Sequence, residues 1–372
     1  MKFKNFLCFG LFNKLKSESL FLIATVFAII TSFIIRPKFS YIDTHVLMVL
    51  FNLMVVVELY KKENILDFIA INFLKKYNNQ KVICAALILL VFFFSMLLTN
   101  DVALITFIPL TIIIGKKSNF STLKIVILET ITANLGSALT PMGSPQNIYI
   151  YSKYAPTSID FFKITFGIST VGIIILLIIN FFTPKEELLF ELETPIFKKN
   201  INVVVSTFIF ISVLLCIFLK FPIIYVTTFN VVYLIYRKEN ILQKLDWILL
   251  ATFISFFIFV GNLSNIELIK NWMINLLSDP KQVYFTGIVL SQIISNVPAA
   301  ILISEFTNKW QPLLLGVNIG GLGTLIASLA SLISYKFYIS EFPEEKRKYL
   351  TVFSILNFSI LILIGSLFIF FI

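Results

Sequence analysis

Apolar runs joined by short polar links dominate the chain. A helix needs about 20 mostly apolar residues to cross a bilayer. Runs of that kind lie at 43–60, 161–182, 200–219, 245–263 and 349–372, with shorter ones at 20–35 and 222–236. Two apolar regions, 81–115 and 281–308, are each cut in the middle by a polar cluster. The clusters are Thr99-Asn100-Asp101 and Ser295-Asn296-Val297-Pro298. This pattern predicts two re-entrant helical hairpins with polar tips. Regions 122–152 and 310–339 are apolar at both ends and rich in Gly, Asn, Thr or Pro between. Gly and Pro interrupt the helical ladder there, so each reads as a broken helix. Stretches 64–76 and 266–277 have helical spacing with a polar face and are placed flat at the interface.

These features occur twice in the same order: a span, an amphipathic helix, a polar-tipped hairpin, a broken helix and a last span. Asp43 recurs as Asp246, and Asn100 as Asn296. Asn134-Leu135-Gly136-Ser137 matches Asn318-Ile319-Gly320-Gly321. The chain therefore divides into a first repeat at 1–185, a connector with one span at 186–221, and a second repeat at 222–372. With the hairpins re-entrant there are nine full crossings, so the second repeat enters from the opposite side. A cytoplasmic N-terminus and an outside C-terminus put 22 of the 30 basic residues inside, as the positive-inside rule requires. Lys2, Lys4, Lys14 and Lys16 precede the run Leu20–Ile35 without a small-x-small cleavage site after it, so this run reads as a retained first span.

Composition agrees. The chain has 372 residues, of which 58% are hydrophobic and 13% charged, and its mean hydropathy is +0.94. Soluble domains carry about 25% charged residues. An ordinary cytosolic enzyme, a disordered chain and a nucleic-acid binder are excluded, despite the net charge of +10. The expected fold is an all-α integral membrane protein, an inverted-repeat secondary transporter with two re-entrant hairpins and two broken helices, in the inner (cytoplasmic) membrane. Three cysteines without a C-x-x-C pair give neither a disulfide framework nor a zinc site. A single histidine, His45, rules out an H-E-x-x-H protease. No cofactor is expected.

The chemistry lies in the polar interruptions. Unpaired backbone groups are costly in lipid and survive where they line a polar cavity. Paired broken segments in inverted repeats point to a transporter site near the midplane. Half-helix N-termini suit an anion, and unwound carbonyls suit a small cation. Asp101 is an ionisable group in an apolar stretch, able to ligate a cation or take up a proton, or to act only as a helix cap. Gly320, Gly321 and Gly323 either allow close helix packing or open the second break. No Lys or Arg lies at the two tips or in the break centres 134–147 and 318–324, so a permanently charged clamp is missing there. The substrate-binding candidates are Asn100, Thr140, Asn147, Asn296 and Thr324. The cation-binding candidates are Thr99, Asn100, Asp101, Asn134, Gly136, Ser295, Asn296, Asn318 and Gly320.

At these residues the sequence resembles the ion transporter superfamily, which includes divalent anion:sodium symporters, citrate transporters and arsenite/antimonite permeases. In the symporters each hairpin carries Ser-Asn-Thr; here Thr99-Asn100-Asp101 and Ser295-Asn296-Val297 hold those places, with Asn kept and Thr replaced in both. The Thr-Asn-Asp form is similar to the arsenite permease branch. The Thr-Pro-x-Gly-x-Pro-x-Asn run from Thr140 to Asn147 is similar to the symporters' first broken helix. The resemblance implies Na⁺ and carboxylate binding at the tips, a homodimer, and an elevator motion of a transport domain past a fixed scaffold.

The expected function is secondary transport of a small anion (a dicarboxylate, citrate or an inorganic oxyanion) coupled to Na⁺ or H⁺. An arsenite-type efflux permease or a Na⁺/H⁺ antiporter is the alternative. A membrane enzyme lacks the required acid clusters or histidine base: acids gather only at 185–193 and 341–345, which read as solvated loops.

Overall fold

In a computed structural model, residues 7–188, 201–237 and 240–372 are described, with side chains from Phe21 onward. The acid-bearing loop expected at 185–193 falls mostly outside the described residues. Eighteen α-helices make up the described chain, and its one β-type contact is an isolated bridge between Asn79 and Glu187.

The first half runs α1 (Leu7–Ile34), α2 (Thr44–Lys62), α3 (Ile65–Leu74), α4 (Gln80–Leu97), α5 (Asn100–Ser118), α6 (Leu123–Ser137), α7 (Pro145–Tyr154) and α8 (Ser158–Phe181). Then come α9 (Ile201–Leu219), α10 (Ile224–Tyr236) and the short α11 (Ile241–Lys244). The second half continues with α12 (Trp247–Leu263), α13 (Glu267–Leu276), α14 (Pro280–Ile294), α15 (Asn296–Ser304), α16 (Trp310–Gly320), α17 (Leu329–Glu341) and α18 (Lys346–Phe368). The polar interruptions read from the sequence are where the helices stop. α4 gives way to α5 at Leu98-Thr99, and α14 to α15 at Ser295. Segment 138–144 separates α6 from α7, and 321–328 separates α16 from α17.

By length and apolarity, five of the described helical stretches can cross a membrane: α2, α4, α8, α9 and Pro343–Phe371, which contains α18. α12 and α13 qualify together but meet at 96°. The bend agrees with α13 lying along the interface, where Leu268 and Trp272 are exposed. α1 starts at Leu7, well before the expected run at 20. α10 has 13 residues and is short for a span.

Aspartates start matching helices. Asp43 accepts from the Val46 N–H at 3.0 Å ahead of α2, and Asp246 from the Leu249 N–H at 2.9 Å ahead of α12. Each satisfies an otherwise unpaired N–H of a first turn.

Helices from opposite halves pack in crossed pairs. α1 lies along α12, with the Thr25 and Ser255 hydroxyls 3.1 Å apart and Asn262 donating to Thr31 and Ser32 at 3.2 and 3.0 Å. α10 lies along α2, with Asn52 donating to Thr227 at 2.7 Å and Asn230 donating to Asn52 at 2.5 Å. Such bonds between helices in lipid contribute about 0.6 kcal/mol on average, so apolar packing supplies most of the association. The residues just before α2 lie against the end of α12: a Cβ on Gly261 would fall 2.4 Å from the Tyr41 ring. α2 and α12 therefore run in opposite directions.

Two apolar cores divide the molecule. One joins α2, α9, α10 and α12 and reaches α7 and α15. The other joins α4, α5, α6, α16, α17 and α18. Shorter helices also pack across the two halves of the chain. α5 packs on α17, and their ends are tied by a Lys116–Glu341 ion pair. α15 packs on α7, tied by a Lys153–Glu305 ion pair.

Candidate functional site

The two hairpin tips meet at one cleft of about 500 Å³, open mouth included. Asn100 and Asp101 line it from the first tip, and Ser295 through Pro298 from the second. Pro145 and Gln146 add the start of α7, and Leu329 the start of α17. The fourth wall is a face of α12: Leu249, Thr252, Phe253 and Phe256.

Asn100, Pro145, Asn296 and Leu329 are the first residues of α5, α7, α15 and α17. Four helix N-termini thus open on one cleft. Each carries about half a positive charge, although the first four N–H groups of α5 are already paired, with Gly143 O, Asn100 Oδ1, Thr99 Oγ1 and Thr99 O. The lining contains no Lys or Arg. Whatever positive potential exists there comes from main-chain dipoles, in low-dielectric surroundings that strengthen them.

Each tip is fastened to the neighbouring break by the same bonds. The Asn100 N–H donates to the Gly143 carbonyl at 3.0 Å, and the Asn296 N–H to the Ala327 carbonyl at 2.9 Å. The Thr140 hydroxyl donates to the Met96 carbonyl at 2.5 Å, and the Thr324 hydroxyl to the Gln292 carbonyl at 3.0 Å. Met96 and Gln292 stand at the same place in their hairpins, four residues before Asn100 and Asn296. Gly136 and Gly320 give the close approach that this fastening needs. A Cβ on Gly136 would lie 2.5 Å from Ser95 Oγ, and one on Gly320 would lie 2.8 Å from Ser291 Cβ.

The expected site residues divide into two groups. Asn100, Asp101, Ser295 and Asn296 line the cleft. Thr140, Asn147, Thr324, Asn134, Asn318, Gly136 and Gly320 build the breaks behind it. Asn147 Nδ2 donates to the carbonyls of Ser137, Ala138 and Thr140 at 3.1, 3.2 and 3.0 Å. Asn134 Nδ2 reaches across to the Gly321 carbonyl at 3.3 Å and Ser328 Oγ at 3.1 Å. Asn318 Nδ2 reaches back to Asn147 Oδ1 at 2.8 Å, and its Oδ1 accepts from Gln146 at 3.3 Å. Each break is therefore braced by an amide from the other half of the chain.

Thr99, rather than Asp101, caps α5: its hydroxyl accepts from the Val102 N–H at 3.4 Å. Asp101 sits in the first turn, its N–H donating to Asn100 Oδ1 at 3.0 Å, and its own Oδ1 is buried without a partner. Ser295 has φ +77, a sparsely populated conformation for a residue with a side chain, and strain of this kind gathers at functional sites.

Gln292, Ser328 and the α12 face were not among the expected site residues. Gln292 Nε2 donates to the Gly320 and Leu322 carbonyls at 2.7 and 3.0 Å, and its Oε1 accepts from the Thr324 N–H at 2.9 Å. A lone amide inside the apolar run Val283–Ile294 was its signal. Nothing in the sequence of α12 marks which of its faces meets the tips.

Residues 9–308 match the family model described as citrate transporter. The chain belongs to the citrate transporter family. It is 35% identical over 308 residues to an uncharacterised transporter of Methanocaldococcus jannaschii, covering 82% of this chain and 84% of the relative. It is 27% identical to an inner membrane protein of Escherichia coli, covering 79% and 80%. A 142-residue stretch is 26% identical to a transporter of Dictyostelium discoideum designated arsB, covering 38% of this chain and 25% of the relative. This family member is a multi-pass membrane transporter, and its relatives' names are those of transporters rather than enzymes.

Proposed function

We propose that this protein is a secondary active transporter of the inner membrane that moves a small anion, such as a dicarboxylate, citrate or an inorganic oxyanion, together with Na⁺ or H⁺. The observation that carries the reading is the convergence of four helix N-termini on a cleft lined by two tip asparagines and free of Lys and Arg. Main-chain N–H groups and amides suit an anion whose charge is met partly by a co-bound cation. Asp101, in the same cleft, is the group that takes up that cation or proton.

The paired tip bonds, the crossed packing of α1 with α12 and α10 with α2, and the opposed directions of α2 and α12 support an inverted repeat with re-entrant hairpins. Positive-inside counting supports a cytoplasmic N-terminus and an outside C-terminus. In that orientation α7 and α15 point outward from the cleft, and α5 and α17 point inward. α7 packs on α2 and α15 on α12, while α5 and α17 pack on each other. The outer half of a transport domain resting on a scaffold of α2 and α12 corresponds to an inward-facing elevator state. The opposite state brings α5 onto α2 and α17 onto α12. Homodimerisation through the scaffold follows from the family resemblance.

Gradient-driven uptake in proteoliposomes tests this reading, with dicarboxylates, citrate, sulfate, phosphate and arsenite competing under a Na⁺ gradient or a pH gradient. Saturable uptake of one of these anions supports it, and no uptake of any under either gradient counts against it. Asp101 at the first tip favours a second reading, arsenite-type efflux or Na⁺/H⁺ exchange. Sensitivity of a deletion strain to arsenite or to Na⁺ separates these from uptake.

A further inference from the structure

Glu129 lies in the middle of α6, directly after the apolar run 125–128, and is fully buried. It is not part of the cleft. Its Oε1 accepts from the Thr111 hydroxyl of α5 at 2.5 Å, and its Oε2 is buried with no partner. Other buried polar side chains of α6 are satisfied: Thr130 donates to Val126 O and Ser334 Oγ, Thr132 to Leu128 O, and Ser137 to Asn134 O. Within Leu123–Ser137, Glu129 is the one buried side chain with an unmet oxygen.

Among the described residues no counter-ion pairs with it. On α4 the nearby titratable group is the Cys84 thiol, close enough to feel the Glu129 charge. On α5, Lys116 and Lys117 stand at the far end, and Lys116 pairs with Glu341. On α6 itself Lys124 reaches the Ile179 carbonyl at 3.4 Å. On α8, Asp160 and Lys163 stand at the start of the helix and contact each other. On α17 the groups are Tyr335, Lys336 and Tyr338, with Tyr338 bonded to Glu345; on α18, Tyr349 is bonded to Ser334 and Lys346, Arg347 and Lys348 begin the helix. No described hydrogen bond or ion pair joins any of them to Glu129. A carboxylate buried without a counter-charge is strongly disfavoured against the neutral acid.

Packing does not require a carboxyl here. Glu129 stands five residues before Asn134, and the residue five before Asn318 is Leu313, which is equally buried in α16. The second repeat fills the equivalent place with a hydrocarbon side chain. Two turns back on the same face of α6, Thr122 also keeps a buried hydroxyl without a partner. The unpartnered oxygens thus run from the start of α6 toward Glu129.

We infer that Glu129 is a proton-binding site of the transport helices, separate from the substrate cleft, that holds its proton in this conformation and releases it when water enters between α5 and α6. The inference rests on the transporter reading only for its role in the cycle; the protonation itself is tested without substrate. Infrared spectra of the full-length protein in lipid at neutral pH are expected to show a protonated-carboxyl band. That band should be lost in Glu129→Gln and in Glu129→Leu, and be retained in Asp101→Asn. Thr111→Val, which keeps the acid but removes its donor, should move the band to higher wavenumber. Thermal unfolding of the wild type should become less stable as pH rises, because the folded state holds a proton that must be given up. Glu129→Leu should lose that slope. A band unchanged in Glu129→Gln and Glu129→Leu, or a pH slope equal in wild type and Glu129→Leu, overturns the inference. Should neither substitution at Glu129 yield folded protein, an unshifted band in Thr111→Val has the same force.

Discussion

The Asn318 side chain donates to Asn147 Oδ1 at 2.8 Å and so joins the helix before the second break to the helix after the first. Asn147 spends its own two N–H bonds on three carbonyls of the first break. A single amide therefore closes one break and anchors the other.

Replacing Asn147 with Ala leaves several buried polar groups short of partners, each at about 1–3 kcal/mol. Asn147→Ala is expected to lose about 3 kcal/mol or more and to melt at a clearly lower temperature in a detergent thermal-shift assay. A midpoint equal to wild type would show that the amide is not the brace described.

Three glycines hold the breaks close. A Cβ on Gly143 would lie 2.2 Å from Ser137 O, with only backbone atoms of Ser137 around it, so nothing can move aside cheaply. A Cβ on Gly136 would meet Ser95 Oγ at 2.5 Å and the Phe92 carbonyl oxygen at 2.8 Å, while on Gly320 the nearest atoms are Cβ and Oγ of Ser291 at 2.8 Å. Overpacking costs about 1–3 kcal/mol. Gly143→Ala should fall at or above the top of that range, with Gly136→Ala next and Gly320→Ala mildest. Yield of monodisperse protein and melting temperature read the order.

Ser152 Oγ donates to Asp43 Oδ2 at 3.1 Å, from α7 to the start of α2, across the boundary that the proposed elevator motion would break. Lys153 and Glu305 face each other within the group proposed to move. An oxidised Asp43→Cys/Ser152→Cys pair should stop transport and recover on reduction. An oxidised Lys153→Cys/Glu305→Cys pair should leave it largely intact. Equal inhibition by both disulfides would contradict rigid-body motion of α7 with α15. The Lys153–Glu305 pair itself, partly exposed, should contribute no more than about 1 kcal/mol.

Asp101→Asn removes the one acid of the cleft while keeping its size. Substrate binding should persist, and the dependence of uptake on Na⁺ or on pH should flatten. Counterflow, which needs no net driving gradient, should be retained better than gradient-driven accumulation. Equal loss of both would assign Asp101 to the substrate rather than to the coupling ion.

Much of this arrangement was legible in the sequence, because membrane spans and their interruptions are written in composition. The two tips and the two breaks fell where polar residues cut apolar runs. Side-chain direction was not legible. Asn147 and Thr140 look like cleft residues in sequence, yet Asn147 turns to the carbonyls of the first break and Thr140 to the Met96 carbonyl of α4. Gln292 is the lone amide of the run Val283–Ile294, and Glu129 is the one acid of α6. Pattern reading gives weight to clusters, so single polar groups in α14 and α6 passed as incidental. The Leu249–Phe256 face of α12 carries no mark at all, since which face meets the tips is decided by how the two cores pack.

The central claim is that the cleft between the two tips holds a small anion. An amide hydrogen bond to a charged group contributes about 1.5–3 kcal/mol, equivalent to roughly 10- to 150-fold in affinity. The main-chain bonds from Asn100 to Gly143 and from Asn296 to Ala327 do not depend on side chains, so Asn100→Ala and Asn296→Ala should fold. The decisive measurement is gradient-driven uptake of the labelled anion selected by the competition panel, in proteoliposomes of wild type and of the Asn100→Ala/Asn296→Ala double variant. The account predicts saturable uptake by the wild type and a rise in KM of about 100-fold or more, or complete loss, in the double variant. Uptake unaltered in the double variant would contradict it.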